Sequence, residues 1–193
     1  MQLGDIAKIS TGLVLSRKKA QGDHDAKATY KLLTLKNISE DGIINNEPLD
    51  EFISDDVLED HYFTIEGDVL IRLSHPYTSV FIDKKHRGLL VPSYFAIIKV
   101  DQMKYLPQYI AWYLNTSEVK KELERSQSGS RIPSTNQNIL KTIPVAKTTM
   151  ENQKAFIELL RLHLQEQHLY KKLIEEKERW FQGISNQLLQ GRQ

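Results

Sequence analysis

The chain has no cysteine among its 193 residues, so it can form neither a disulfide nor a thiolate metal site. A lack of cysteine pairs is typical of proteins of the reducing cytoplasm. A secretory signal peptide is also missing, because Asp5 and Lys8 interrupt the stretch that would have to be apolar. No run of about 18 apolar residues is available for a membrane span. We therefore expect a cytoplasmic protein without a membrane segment.

Signatures of catalysis are missing as well. The sequence has no glycine-rich dinucleotide or phosphate loop, no Gly-x-Ser-x-Gly elbow and no Pro-Pro-Tyr type methyltransferase motif. We expect no catalytic residue, no metal and no cofactor of its own. One fragment keeps an alternative open, since Asp83 and Lys85, with Asp68 upstream, resemble the metal-binding pattern of a small metal-dependent nuclease. A second alternative is a protein-interaction module.

Charge is present in both signs but is distributed unevenly. The formal net charge is +1, yet residues 38–68 contain eleven Asp and Glu and no Lys or Arg. Residues 69–148 contain twelve Lys and Arg against five Asp and Glu. This polarity suggests that an acidic segment faces away from a polyanion that the basic flanks contact. We expect the basic loops around Lys18, His75, Lys85 and Arg131 to share one face, with residues 50–60 on another.

The first part of the chain alternates short β-branched and aromatic runs with turn residues. Strands are predicted at 30–38, 68–73, 79–83 and 94–100. The spacing of apolar residues from Leu106 onwards predicts one helix of about 15 to 20 residues. Because strands and helix are mixed without regular alternation, the pattern favours an α+β, mixed-strand domain over residues 1–148.

Residues 149–193 form a second predicted region, a long C-terminal coiled-coil helix. From about Glu151 to Leu189 there is no proline, which is compatible with a helix about 60 Å long. Ile143 to Val145 should dock the junction between the two regions, since Pro144 disfavours helix just before it. Ser134 to Gln137 predicts a capping box for a short helix through Leu140.

The long helix carries an apolar stripe that needs cover from a partner helix. The residues of this stripe, predicted to form a dimer or partner interface, are Phe156, Leu160, Tyr170, Ile174, Phe181, Ile184 and Leu188.

Several motifs follow one another along the chain: LGDIAKISTG at 3–12, EGDVLIRL at 66–73, and NILKTIPV at 138–145 leading into ENQKAFIELL at 151–160. In this order they resemble one half of the specificity subunit of type I restriction-modification systems. The resemblance implies a target-recognition domain that reads DNA, followed by a conserved spacer helix. It also implies a half-size form with one domain and one helix, where the full-length subunits have two of each.

The resemblance implies a non-catalytic subunit that reads a half-site on double-stranded DNA. The alternative interaction module would be one that has lost DNA reading. Its implied partners are a modification methyltransferase, which would bring S-adenosylmethionine, a restriction and translocase subunit, and a second copy of the chain. Polar and basic side chains of four loops can bond phosphates and base edges. These predicted DNA contacts are Arg17, Lys18, Lys19, Arg72, His75, Tyr77, Lys84, Lys85, Arg87, Arg125, Ser130 and Arg131.

Overall fold

The computed structural model describes residues 1–126 and 134–190. It contains six strands, β1 Ala7–Thr11, β2 Ala28–Leu32, β3 Asp50–Ser54, β4 Asp68–Arg72, β5 Ser79–Phe81 and β6 Phe95–Val100, within these ranges. The α-helices there are α1 Pro107–Leu114, α2 Ser117–Arg125, α3 Gln137–Thr142 and α4 Met150–Gln190. Short 3₁₀ turns connect several of these elements. The predicted α+β class with a long C-terminal helix is confirmed.

The chain forms two compact units, which we call the N-terminal unit (Met1–Gln153) and the C-terminal unit (Lys154–Gln193). The N-terminal unit is built on a four-stranded sheet of order β1-β6-β4-β5, and every neighbouring pair in it is antiparallel. A separate two-stranded sheet pairs β2 with β3. Strand β3 of this second sheet lies in the acidic segment, residues 38–68.

The central strands β4 and β6 of the four-stranded sheet are buried on both faces, and their alternate side chains enter two different cores. Val69 and Ile71 of β4 face the core that contains residues of α1 and α2. Leu70, between them, faces a second core together with Val80 and Ile97. Strand β4 is therefore apolar on both sides, which explains why DVLIRL reads as a nearly continuous apolar run.

Three predicted elements differ from the observed ones. The strand predicted at 30–38 ends at Leu32, and Leu35–Asn37 form a 3₁₀ turn instead. The single helix predicted from Leu106 is wrong, because α1 ends at Leu114 and a second helix, α2, begins at Ser117. The Thr116 side chain caps the start of α2. The Asn115 side chain explains the break, since its amide pairs with both the N–H and the C=O of Ser79 at 2.9 and 2.7 Å. The capping box at Ser134 is also wrong, because Asn136 caps α3 by accepting from Asn138 N and Ile139 N.

The junction before α4 docks as predicted. Ile143 and Val145 are each 2% exposed. Their backbones pair with the chain start, because Leu3 N donates to Ile143 O and Val145 N donates to Met1 O, both at 2.8 Å. The first residues of the chain therefore hold the segment that leads into α4.

Candidate nucleic-acid interface

The predicted DNA contacts in the described part of the N-terminal unit include three separate groups, and Arg125 follows at the end of α2. The β4–β5 hairpin places His75 in its turn, beyond Arg72, and places Lys85 beyond the opposite end of β5. A strand of the length of β4 spans about 13 Å at about 3.3 Å per residue, so these two groups do not form one cluster. A third group, around Lys18, lies beside the acidic segment.

The turn from Leu73 to Thr78, which we call the hairpin turn, is fixed from both sides. Its peptide bond His75–Pro76 is cis, and Tyr77 has a φ of 53°. Leu73 N donates to Tyr94 O at 2.9 Å, and Tyr77 N donates to Ser74 O at 2.9 Å. His75 is exposed at the tip of the hairpin turn.

Tyr77 does not reach the surface, so its predicted DNA contact is wrong. The left-handed backbone conformation at this residue accompanies a side chain that lies in the core, and Tyr77 is only 1% exposed. Burial raises the pKa of its hydroxyl, and the negative charge of Glu124 adds to that effect. Tyr77 therefore anchors the hairpin turn and is not a surface contact.

Arg72 emerges from the end of β4 beside the hairpin turn. Its side chain is half-buried, and its Nε donates to Ser74 Oγ at 3.0 Å. The segment before α3 lies against the same turn, because Thr135 N donates to Leu73 O at 2.7 Å and Ser74 pairs with Ser134. The predicted contacts Ser130 and Arg131 fall outside the described residues.

At the other end of the hairpin, three cations lie in or directly after a short 3₁₀ turn, Lys84–His86. Asp83 caps this turn by accepting from Lys85 N and His86 N. Burial raises the pKa of Asp83, but its bonds to the His86 ring and to the two backbone N–H groups outweigh that effect and hold the pKa below its usual value. Lys84, Lys85 and Arg87 are exposed, and the part of the chain that the structure describes gives them no carboxylate partner.

The first basic loop contacts the acidic segment through one of its three cations. Lys18 pairs with Asp56 at 2.6 Å, so the expectation that this loop lies away from residues 50–60 is wrong. The hydrogen bond between the two side chains raises the pKa of Lys18 and lowers that of Asp56. Lys31 and Lys36 pair with Glu51 and Asp50 in the same way.

The remaining contacts of that set differ in their surroundings. Arg17 and Lys19 flank Lys18, and both are exposed, although the backbone of Lys19 is bridged to Ser54. Arg125, at the end of α2, lies 3.6 Å from Glu122 and is otherwise largely exposed. Contact of these side chains with DNA stays a prediction.

The carboxylates of the nuclease-like set are engaged in the fold. Asp68 is 1% exposed, and its two oxygens accept from Lys99 Nζ at 3.0 Å and from Ile65 N at 2.9 Å. The oxygen Oδ1 of Asp83 accepts the two cap bonds and contacts the His86 ring. Over residues 1–126 and 134–190, no group of three His, Asp or Glu side chains could hold a metal ion.

Helix α4 exposes most of its predicted stripe. Ile174, Phe181 and Leu188 are 67%, 61% and 68% exposed, whereas Phe156 and Leu160 are half-buried. A second set of exposed apolar residues was not predicted, because these residues fall outside the alternating three- and four-residue steps that define the stripe. The residues of this second set are Leu159, Leu162, Leu164, Leu169, Leu173, Trp180 and Leu189. Among the described helices, none is both long and apolar enough to cross a membrane.

No protein-family model and no curated protein matches the sequence. Solved structures do match the fold. A structure from work on complex assembly and conformational transition of the type I R-M system matches with a TM-score of 0.70 at 13% identity, covering 93% of this chain and 45% of that chain. The HsdS subunit from Thermoanaerobacter tengcongensis matches with a TM-score of 0.67 at 13% identity and the same coverage.

A third structure, the type I restriction-modification S subunit from M. genitalium, matches with a TM-score of 0.53 at 14% identity. It covers 89% of this chain and 40% of that chain. The chain thus spans less than half the length of the solved structures it matches. The predicted resemblance is confirmed in the fold, because the chain has the fold of nearly half of a type I S subunit.

Proposed function

We propose that this chain is a non-catalytic DNA-recognition subunit of a type I restriction-modification system, which reads one half-site per copy. The observation that carries the proposal is the fold, which two S subunits share over 93% and 89% of this chain. The low identity means that target preference cannot be transferred, so the contacts must be argued from this chain's own residues.

The charges of the N-terminal unit support an interface on the β4–β5 hairpin. Lys84, Lys85 and Arg87 have no carboxylate partner among the described residues, so their charges are available to phosphate oxygens. In contrast, Lys18 is committed to Asp56. Phosphate contacts supply most of the affinity and fix the position of a protein on the duplex. We assign these three cations to the phosphates of the half-site.

A mutational series tests this interface with a full-length chain and a fluorescent duplex of random sequence. Replacement of Lys84, Lys85 and Arg87 by Glu should weaken binding strongly and reduce its dependence on salt. The control replaces Lys8, Lys141 and Lys147 by Glu, which changes the net charge equally at three other exposed positions. Equal weakening in both variants would show that only the total charge matters, and would remove the proposed interface.

The partners follow from the same proposal. A modification methyltransferase would bind the subunit and supply S-adenosylmethionine and the methyl transfer, and a restriction and translocase subunit would join that complex. The test is co-expression with the methyltransferase encoded nearest to this chain's gene, followed by purification of the complex. Methylation that depends on this chain and is confined to one DNA sequence would support the proposal. Methylation that is unchanged without the chain would contradict it.

We further propose that two copies associate through α4 in an antiparallel, two-fold arrangement. Burial of apolar surface contributes about 25 cal/mol of free energy per Å² removed from water, so burial of the stripe should stabilise the dimer by several kcal/mol. Each N-terminal unit contains the first residues of its own helix, so antiparallel pairing places the two N-terminal units at opposite ends of the helix pair. The target would then be two identical inverted half-sites around a non-specific spacer.

Light scattering tests the assembly directly. Ile174→Asp with Phe181→Asp should convert a dimer to a monomer while leaving the N-terminal unit folded, as judged by circular dichroism. The control is Lys172→Asp with Arg179→Asp, because each of these exposed positions lies two residues from its counterpart, about 200° round the helix. A monomeric unmodified chain at high micromolar concentration would contradict the proposed dimer.

A further inference from the structure

The cations of the N-terminal unit are held in different ways. Within the described residues, six of those cations lie within ion-pair distance of a carboxylate: Lys18, Lys31, Lys36, Lys99, Lys104 and Arg125. Arg72 instead donates its Nε to the uncharged Ser74 Oγ at 3.0 Å. The bond orients the guanidinium without neutralising its charge.

The geometry leaves the reading end of the side chain available. An arginine has five N–H donors in a planar fork, and the Nε–H is the one that Ser74 uses. The four N–H groups on the two terminal nitrogens have no partner in the described part of the chain. Two parallel N–H donors of this kind match the O6 and N7 acceptors of guanine in the major groove.

The backbone around Arg72 is rigid enough to hold that orientation. Arg72 N donates to Thr78 O at 2.9 Å, which closes the hairpin turn at its base. Ser74 is fixed by its C=O, which accepts from Tyr77 N, and by pairing with Ser134. The buried ring of Tyr77 anchors the turn from below. Preorganised donors lose less entropy on binding, which favours recognition of one base over general attraction to phosphates.

The segments next to Arg72 contain side chains that can hydrogen-bond to base edges. The hairpin turn at 73–78, the strand start at 92–95 and the segment at 134–138 contain no Asp or Glu, and their polar residues are Ser, Thr, Tyr, Asn, Gln and His. Those that are not buried can hydrogen-bond to base edges, whereas the Lys84 to Arg87 end of the hairpin offers clustered cations. They are Ser74, His75, Ser93, Tyr94, Ser134, Asn136, Gln137 and Asn138.

We propose that Arg72 reads a guanine in the half-site and that Ser74 is its positioning residue. The inference rests on the proposed function, because it requires that the N-terminal unit contacts DNA. It adds a division of labour between the two ends of the hairpin: the Arg72 end specifies sequence and the Lys85 end positions the duplex.

The test is repeated selection of a random duplex library by the full-length chain at low salt, followed by sequencing of the bound pool. The unmodified chain should enrich sequences with a guanine at one half-site position. Arg72→Ala should lose the preference at that position alone, by about 5- to 150-fold, which corresponds to the discrimination of one bidentate contact. Arg72→Lys should lose it too, because an ammonium cannot form the planar fork.

Two further variants separate positioning from general attraction. Ser74→Ala should weaken the same guanine preference while random-sequence DNA binds as before, and Ser74→Thr should restore it because the hydroxyl is kept. Lys85→Ala should weaken binding to all sequences and leave the enriched sequence unchanged. Thermal unfolding checks each variant for folding, and Arg72→Lys retains the charge and most of the packing.

Three outcomes would overturn the inference. If Arg72→Ala weakens binding uniformly and enriches the same sequence, Arg72 is a phosphate contact. If Ser74→Ala leaves the guanine preference intact, Ser74 does not position the guanidinium. If the unmodified chain binds the library but enriches no sequence, or does not bind at all, the proposed DNA reading itself fails before any variant is compared.

Discussion

Gln153 gives the sharpest prediction about stability, because one buried side chain satisfies two backbone groups. It is 0% exposed. Its Oε1 accepts from Leu106 N at 2.8 Å, and its Nε2 donates to Lys104 O at 3.0 Å. All three residues belong to the N-terminal unit. The bonds tie the first turn of α4 to the segment that enters α1.

Replacing Gln153 with Ala leaves one backbone donor and one acceptor without this partner. An unpaired buried polar group costs about 1–3 kcal/mol, and Leu106 is half-buried, so water can compensate in part. We expect the free energy of unfolding to fall by about 2–4 kcal/mol. The measurement is urea denaturation followed by fluorescence in a Trp180→Phe background, which leaves Trp112 as the reporter.

Gln153→Glu extends the prediction to pH. A buried carboxylate cannot donate to Lys104 O, and burial raises its pKa, so the variant should be less stable than Gln153→Ala at neutral pH. As pH falls through the raised pKa the protonated acid can again donate and accept, so the loss should shrink. Gln167→Ala, at an exposed position of α4, is the control. A loss below about 1 kcal/mol for Gln153→Ala, or no pH dependence for Gln153→Glu, would refute the reasoning.

Three further predictions concern buried or capping groups and are measured by urea denaturation. Lys99→Met should cost about 3 kcal/mol or more, because it leaves the buried carboxylate of Asp68 without its cationic partner. Asp68→Asn should cost only about 1–2 kcal/mol, because Lys99 is 37% exposed and reaches water. Asp83→Ala should cost about 1 kcal/mol through the lost cap. Because folding lowers the pKa of Asp83, its contribution is present above pH about 4, and the difference from Asp83→Ala should vanish as pH falls through the folded pKa. Tyr77→Phe should be neutral or stabilising by up to about 1 kcal/mol, because within the described residues the buried hydroxyl has no hydrogen-bond partner, whereas Tyr77→Ala should cost about 3–5 kcal/mol.

The sequence predicts those elements whose pattern is local. Strands β4 and β6 read as apolar runs because both of their faces are buried, and α4 reads as a long helix because nothing interrupts it. Strands β1 and β3 were missed because AKIST and DEFIS mix polar and apolar residues like ordinary surface segments. The break between α1 and α2 was missed because its cause, the pairing of Asn115 with Ser79, spans 36 positions of sequence.

The candidate interface was predicted only in part, for a similar reason. Charge pattern alone identified Lys85 as a basic residue of a turn, and the structure leaves it exposed. The same pattern could not show that Asp56, 38 positions away, neutralises Lys18. Nor could it show that Tyr77 is buried, because a positive φ at a non-glycine residue has no sequence signature here. The sequence identified Arg72 only as a cation at the end of a strand. Its bond to Ser74 could not be predicted, because that bond depends on the conformation of the hairpin turn.

The measurement that tests the central claim most directly is the sequence content of DNA selected by the full-length chain from a random duplex library. The account predicts two identical half-sites in inverted orientation, separated by a non-specific spacer of constant length, because two copies paired through α4 present two identical readers. A selected pool with no enriched sequence would contradict DNA reading. Enrichment of one undivided site would contradict the antiparallel dimer.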